Sequence, residues 1–154
     1  MKKIALLTVL VWMIASIACA QAEIIPRYGE GQIGLTAVVL CEELTVRQGS
    51  TTEAPVVTRV EYGSRIIVDR QVDGWAHCFL GDSEDSASGW VNADYIAIDP
   101  DWYRTEGKTP VYAWNDTLAP KVALLDEGTL LPILSDEGAW LIVSLRGAVG
   151  WVQK

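Results

Sequence analysis

Apolar residues come in short runs along this chain. Each run is rich in β-branched or aromatic side chains, and each is closed by Gly, Asp, Ser or Pro. The runs fall at 37–41, 44–46, 65–68, 76–80, 130–134 and 140–145. Such composition and spacing predict strands. Leu44 and Val46 alternate onto one face, as do Ile66 and Val68, so they line one small core. Asp73-Gly74 and Glu137-Gly138 fall where neighbouring strands must turn. Helical periodicity is nearly absent. Short strands with regular turn signals predict an all-β barrel or sandwich.

The pattern is written twice. From Val57 and Val122 to Leu80 and Leu145 the two copies run 65 positions apart without a gap. Val60 matches Leu125, Gly63 matches Gly128, Ile66 matches Leu131, Trp75 matches Trp140 and Cys78 matches Val143. Gly89-Trp90-Val91 returns as Gly150-Trp151-Val152. A repeat of this kind sets the domain count. It predicts a leader at 21–36, a first domain at 37–97, a linker at 98–104 and a second, divergent domain at 105–154. A linker that short does not let the copies tumble freely, so they are expected to pack together.

The first 20 residues stand outside this pattern. Lys2 and Lys3 precede an uncharged apolar stretch from Ile4 to Ile17, and Ala18-Cys19-Ala20 is a small-residue cleavage site. This reads as a secretory signal peptide, and the apolar stretch is short for a membrane span. A lipid anchor through Cys19 is the alternative, but Ser16 stands where such motifs usually carry Leu. The expected location is therefore secreted or extracytoplasmic, with no transmembrane segment in the mature chain.

Charge narrows the partners. The formal net charge is −8, and removing residues 1–20 takes away two lysines and no acid, which gives −10. An acidic exported domain is repelled by nucleic acid and anionic lipid headgroups. Nucleic acid is therefore not an expected partner. Cleavage also leaves two cysteines, Cys41 and Cys78, both expected at inward-facing strand positions. In an oxidising compartment they are either a disulfide or two buried thiols, and spacing alone leaves both open.

Leu44-Thr45-Val46-Arg47-Gln48-Gly49, the Ser/Thr/Pro loop after it, Gly63, Ile66-Ile67-Val68, Gly74-Trp75, Gly89-Trp90-Val91 and Asp94-Tyr95-Ile96 occur in one order. In that order they resemble the bacterial SH3 domain family over nearly the whole first copy. The second copy resembles it less closely. It carries Ala113-Trp114-Asn115-Asp116 at the V-R-S-G position and stops soon after Trp151-Val152, so a frayed last strand is expected. The resemblance implies two tandem SH3-like small β-barrels. It also implies a non-enzymatic binding role in the cell envelope, with peptidoglycan peptide or another cell-wall ligand as partner. The alternative is a protein–protein interaction module, an accessory or inhibitor of an envelope enzyme.

Catalytic chemistry finds little support in the residues. His77 is the single histidine, and its neighbour Cys78 points to the opposite face of a strand. The two cannot act as a base and nucleophile pair. One His and two separated Cys match no zinc spacing. Asp82-Ser83-Glu84-Asp85-Ser86 lies in a longer hairpin loop, since Trp75 to Gly89 spans 14 positions and Trp140 to Gly150 spans 10. It lacks the spacing of a calcium loop and reads as solvated surface. No cofactor is expected.

Aromatic residues are the remaining candidates. If Val111 and Ala113 take the inward places of Leu44 and Val46, then Tyr112 and Trp114 point outward. Trp102 and Tyr103 lie just upstream. These four either form a binding shelf or glue the two copies together. Arg47 and Tyr62 are the corresponding candidates in the first copy. Trp75, Trp90, Trp140 and Trp151 are expected as packing residues.

Overall fold

The computed structural model describes residues 22–154. The expected signal peptide and Cys19 lie outside the described residues. The architecture is all-β, in two antiparallel sheets. The first sheet contains β1 (Leu35–Val39), β2 (Glu43–Arg47), β3 (Val56–Glu61), β4 (Arg65–Val72), β5 (Trp75–Phe79), β6 (Ser88–Asn92) and β7 (Ile96–Ile98), with a 3-10 turn at Ala93–Tyr95 before β7. The second contains β8 (Trp102–Arg104), β9 (Thr109–Tyr112), β10 (Lys121–Leu125), β11 (Leu130–Asp136), β12 (Trp140–Leu145) and β13 (Ala148–Gln153). Among the described residues no helix is long and apolar enough to cross a membrane.

The two sheets share one topology. Strand order in the first is β3-β2-β6-β5-β4-β1-β7, and in the second β10-β9-β13-β12-β11-β8. Exchanging β1 to β6 for β8 to β13 turns one order into the other. Only β7 has no counterpart among the described residues. Irregularities repeat as well. The β2–β3 ladder shifts register at Val57 and the β9–β10 ladder at Val122, while the β4–β5 ladder shifts at Asp69 and the β11–β12 ladder at Leu134. A bulge bends its strand and sharpens the local twist. These bulges therefore curl both sheets in the same places.

Curling gives each sheet its own core. In the first, Ala37, Val39, Leu44, Val46, Ile66, Val68, Ala76, Cys78, Val91 and Ile96 are buried together. Six of the seven strands contribute to that cluster, and Val60 of β3 packs against it. Each fully buried Val or Ile contributes about 1.5–3 kcal/mol. The second core is smaller: Val111, Leu131, Leu141, Val143 and Val152, with Tyr103, Ala123, Leu125, Ile133 and Leu145 around them. These are two SH3-like units in tandem.

The glycine of each Gly-Trp-Val motif has a steric reason. A Cβ on Gly89 would lie 2.6 Å from the Arg47 carbonyl oxygen, and one on Gly150 would lie 2.3 Å from Val111 Cγ1. Only glycine lets β6 cross β2, and β13 cross β9, at this distance.

The structure redraws several sequence boundaries. The segment 98–104, read as a linker, contributes β8 to the second sheet. The leader is partly engaged: Leu35 and Thr36 belong to β1, and Ile24 exchanges two 2.7 Å backbone hydrogen bonds with Gln71. Cys41 lies in a bend beyond β1 rather than on a strand, and packs only partly against the core. Cys41 and Cys78 are both free thiols. The last strand is not frayed. All six residues of β13 pair with β12, and Lys154 N donates to the Ala139 carbonyl at 3.0 Å.

The units touch through the β12–β13 hairpin. Gly147 N donates to the Leu40 carbonyl at 3.2 Å, and Arg146 Nε lies 2.9 Å from Glu42 Oε2. An apolar hollow of about 380 Å³ lies alongside, lined by Leu40, Tyr95, Leu134 and Val149 among others.

Candidate binding groove

Strand β2 builds the site. Leu44 and Val46 enter the core, so Glu43, Thr45 and Arg47 face outward. Trp75, at the start of β5, and Asn92, at the end of β6, are ladder partners. The Asn92 side chain accepts a hydrogen bond from Asp94 N at 2.9 Å and caps the 3-10 turn. That cap fixes the turn that carries Tyr95. Thr52 arrives from the β2–β3 loop. Together with Cys41 and Leu44 these residues line a groove of about 450 Å³.

The groove offers one charge of each sign between aromatic walls. Arg47 Nη1 donates to the Ala54 carbonyl at 2.8 Å, which holds the β2–β3 loop and aims the guanidinium. Glu43 meets Arg59 at 3.0 Å on the solvent side. Residues 43 and 47 are four positions apart, roughly 13 Å along a strand. Burial pushes the Cys41 thiol above its ordinary pKa, partly offset by backbone hydrogen bonds. Cys41 therefore lines the groove as a neutral group.

The equivalent place in the second unit has different chemistry. Arg47 pairs with Trp90 across β2 and β6, and Tyr112 pairs with Trp151 across β9 and β13. Tyr112 thus stands where Arg47 stands. The matching hollow measures about 250 Å³ and is lined by Tyr103, Lys108, Thr109, Pro110, Tyr112 and Gln153. Tyr112 packs edge-on against Trp140, with ring centroids 5.7 Å apart and planes at 85°.

This arrangement divides the sequence candidates. Tyr112 leaves the core face of β9, as alternation requires, but Trp140 covers it and it is only 8% exposed. It is not the exposed shelf residue expected from sequence. Tyr103 packs against the second core and shares a hollow with Tyr112. Trp102 and Trp114 are 48% and 51% exposed and stand apart from that hollow. Trp102 also neighbours Tyr103 on β8 and so faces the other way. The four aromatics do not form one surface. Arg47 lines the first groove, but Tyr62 does not. Tyr62 lies at the junction of the units, its hydroxyl pKa raised by burial and partly lowered again by the Arg146 charge.

Sequence reasoning missed Glu43, Trp75, Asn92 and Tyr95 as groove residues. Trp75 recurs as Trp140 and so reads as a packing residue from sequence, and it is half-buried. The available signal was Tyr95 itself, an aromatic in a motif that only the first copy carries.

His77 and Cys78 take opposite faces of β5. Cys78 is fully buried, and its thiol is pushed up to about 12, first by burial and then by the Asp69 charge. A thiol so held is not a nucleophile near neutrality. His77 Nδ1 lies 2.6 Å from Asp69 Oδ1 on the outer face, and its ring meets Phe79 and Trp90 edge-on, each at 5.3 Å. The Arg70 guanidinium lies over Trp90 at 5.6 Å. This cluster braces β4, β5 and β6. Among the described residues no group of His, Cys, Asp or Glu is placed to hold a metal ion.

Two curled sheets of one topology, each closed on its own core and the first carrying an outward groove, make small β-barrel-like units. Residues 42–97 match the family model described as bacterial SH3 domain, so this part of the chain is similar to that family. A curated protein of Bacillus subtilis (strain 168), named as the putative N-acetylmuramoyl-L-alanine amidase YrvJ, is 25% identical over 128 residues. That match takes in 71% of this chain and 24% of the relative, so the chain spans about a quarter of the relative's length. Among solved structures, an NlpC/P60 family protein from Bacillus cereus ATCC 10987 is 13% identical, with a TM-score of 0.39 over 77% of this chain and 54% of that one. NlpC2 from Trichomonas vaginalis is 11% identical, with a TM-score of 0.37 over 80% and 47%.

Proposed function

We propose that this is a non-enzymatic, extracytoplasmic binding protein of the bacterial cell envelope, and that the groove of the first unit holds peptidoglycan stem peptide. The observation that carries this is the presence of Glu43 and Arg47 on one strand between Trp75 and Tyr95. A short peptide with a free carboxylate and a side-chain amine suits that pattern. Arg47 takes the carboxylate in charge-assisted hydrogen bonds. Glu43 takes the amine, and the aromatic walls take the aliphatic stems. The acidic surface disfavours polyanionic wall components and leaves a zwitterionic peptide acceptable. The family match of residues 42–97 and the curated relative's name as an N-acetylmuramoyl-L-alanine amidase support this substrate class.

The second reading is an accessory module of an envelope enzyme. The match to one quarter of an amidase favours it. Sedimentation with purified peptidoglycan separates the two. The first reading expects the protein to sediment with the wall, and the Arg47→Ala/Trp75→Ala variant to remain in solution. Retention of a protein partner with no wall binding by the unaltered protein supports the second and overturns the first.

A further inference from the structure

The inference concerns the apolar hollow at the junction of the units, and it rests on the stem-peptide reading of the first groove. The two cavities are continuous. Cys41 and Tyr95 line both the groove and the hollow of about 380 Å³, and so form the sill between them. The hollow adjoins one end of the groove. Leu40 and Cys41 come just before Glu43 in the chain, whereas Arg47 lies at the far end of β2, beside the β2–β3 loop. The opening is therefore at the Glu43 end.

Both units build the walls. The first gives Leu40 and Tyr95, and the second gives Leu134, Ala148 and Val149. The bond from Gly147 N to the Leu40 carbonyl at 3.2 Å and the Arg146 contact with Glu42 hold the walls together. Leu134 is 39% exposed and Val149 is 59% exposed, so packing between the units does not cover them. The first unit is an internal comparison. Leu134 stands at the register shift of the β11–β12 ladder, as Asp69 stands at that of the β4–β5 ladder. Val149 precedes the glycine of its Gly-Trp-Val motif and faces Ser144, while Ser88 precedes the other and faces Phe79. Polar Asp69 and Ser88 are thus replaced by Leu134 and Val149. On an acidic chain, two exposed apolar side chains stand where the sister unit has polar ones, and both line this hollow. Exposed apolar surface gathered in one place marks a binding site.

Polarity selects the occupant. With its carboxylate on Arg47, the peptide runs back past Glu43, and its N-terminal end reaches Cys41 and Tyr95. A free ammonium group is about the size of a water, whose share of liquid volume is about 30 Å³. The hollow is far larger, and its walls are apolar. In peptidoglycan this amine is not free: the lactyl group of N-acetylmuramic acid acylates it. We infer that the junction hollow holds this acylated sugar end of the stem peptide, so that both units share one ligand site. Leu134, Ala148 and Val149 take the lactyl and acetyl methyl groups. Ser144, also in the lining, donates to the Leu145 carbonyl at 3.2 Å, which leaves its oxygen free to accept from an amide N–H.

The probes are two soluble ligands: the stem peptide with a free N-terminal amine, and the same peptide with N-acetylmuramic acid on that amine. Each is titrated into the full chain and followed by calorimetry and amide NMR. The muramyl peptide should bind more tightly by about fivefold or more, and it alone should shift the Leu40, Leu134 and Val149 amides. Leu134→Asp/Val149→Ser puts the first unit's residues at exposed places, and melting curves check that the fold persists. This variant should bring the muramyl peptide down to the affinity of the free peptide and leave the free peptide unchanged. Saturable binding of both ligands, with the muramyl peptide no tighter, overturns the inference and leaves the groove reading standing. An advantage that survives the double variant puts the sugar elsewhere and also overturns it. No binding of either ligand overturns the groove reading, and this inference with it.

Discussion

Tyr112 occupies in the second unit the ladder position that Arg47 occupies in the first. Each faces the tryptophan of a Gly-Trp-Val motif, Trp151 in one case and Trp90 in the other. One substitution changes the site's character. Where Arg47 leaves an open groove with a cation in it, Tyr112 lies against Trp140 and fills the space with an aromatic pair. The duplicated fold therefore carries two different surfaces.

Arg47→Ala should weaken stem-peptide binding about tenfold or more, since a hydrogen bond to a charged group contributes about 1.5–3 kcal/mol. Arg47→Lys should recover only part of that, because a point charge lacks the planar fork. Titration calorimetry on both variants, with melting curves as a control for the lost Ala54 contact, checks this.

Tyr112 and Trp114 should separate cleanly. Tyr112→Ala removes a buried ring and its edge-on contact with Trp140, and should lower stability by about 3 kcal/mol. Trp114→Ala, at an exposed turn, should stay within about 0.5 kcal/mol. Denaturant unfolding of the two single variants gives the comparison.

Both motif glycines should resist a methyl group. Gly89→Ala and Gly150→Ala each place a Cβ within 2.7 Å of the crossing strand. Overpacking of this kind costs about 1–3 kcal/mol. Thermal melting should show a loss in both, and an unchanged melting temperature in either would mean that the strands separate more easily than this packing allows.

Cys78 makes stability fall at alkaline pH. Its ordinary pKa is 9.0, and the fold raises it to about 12. Above pH 9 the unfolded chain releases the thiol proton while the folded chain keeps it, so unfolding is favoured as pH rises. The stabilisation is fully present below pH 9 and is lost as pH rises toward 12. Stability measured from pH 8 to 11 should decline less steeply in Cys78→Ala than in the unaltered protein. An alkylating reagent at pH 8 should modify the half-buried Cys41 before Cys78.

Much of the fold was legible in the sequence, for a physical reason. Core positions recur at a fixed spacing because both copies curl the same ladders around the same residues, and Val60 with Leu125 or Cys78 with Val143 shows this directly. Strand β8 was not legible. Trp102-Tyr103-Arg104 is too short to display alternation, and it reads as linker until its pairing with β11 is seen. The aromatic assignment failed through register. A slip of two along a strand preserves the inward and outward faces, so Val111 satisfies the pattern against Leu44 as well as against Val46. The ladder fixes the second alignment and brings Tyr112 to Arg47. The groove itself was hidden because β2, the start of β5 and the Asn92-capped turn are far apart in sequence.

The central claim is that the first groove binds peptidoglycan stem peptide. Titrating a soluble stem peptide into isotopically labelled protein, with backbone amide shifts followed by NMR, tests it most directly. The account predicts saturable shifts at Glu43, Thr45, Arg47, Trp75, Asn92 and Tyr95, and none at Trp102 or Trp114. Saturable shifts centred on Tyr112 and the second unit, or no shifts at all, would contradict it.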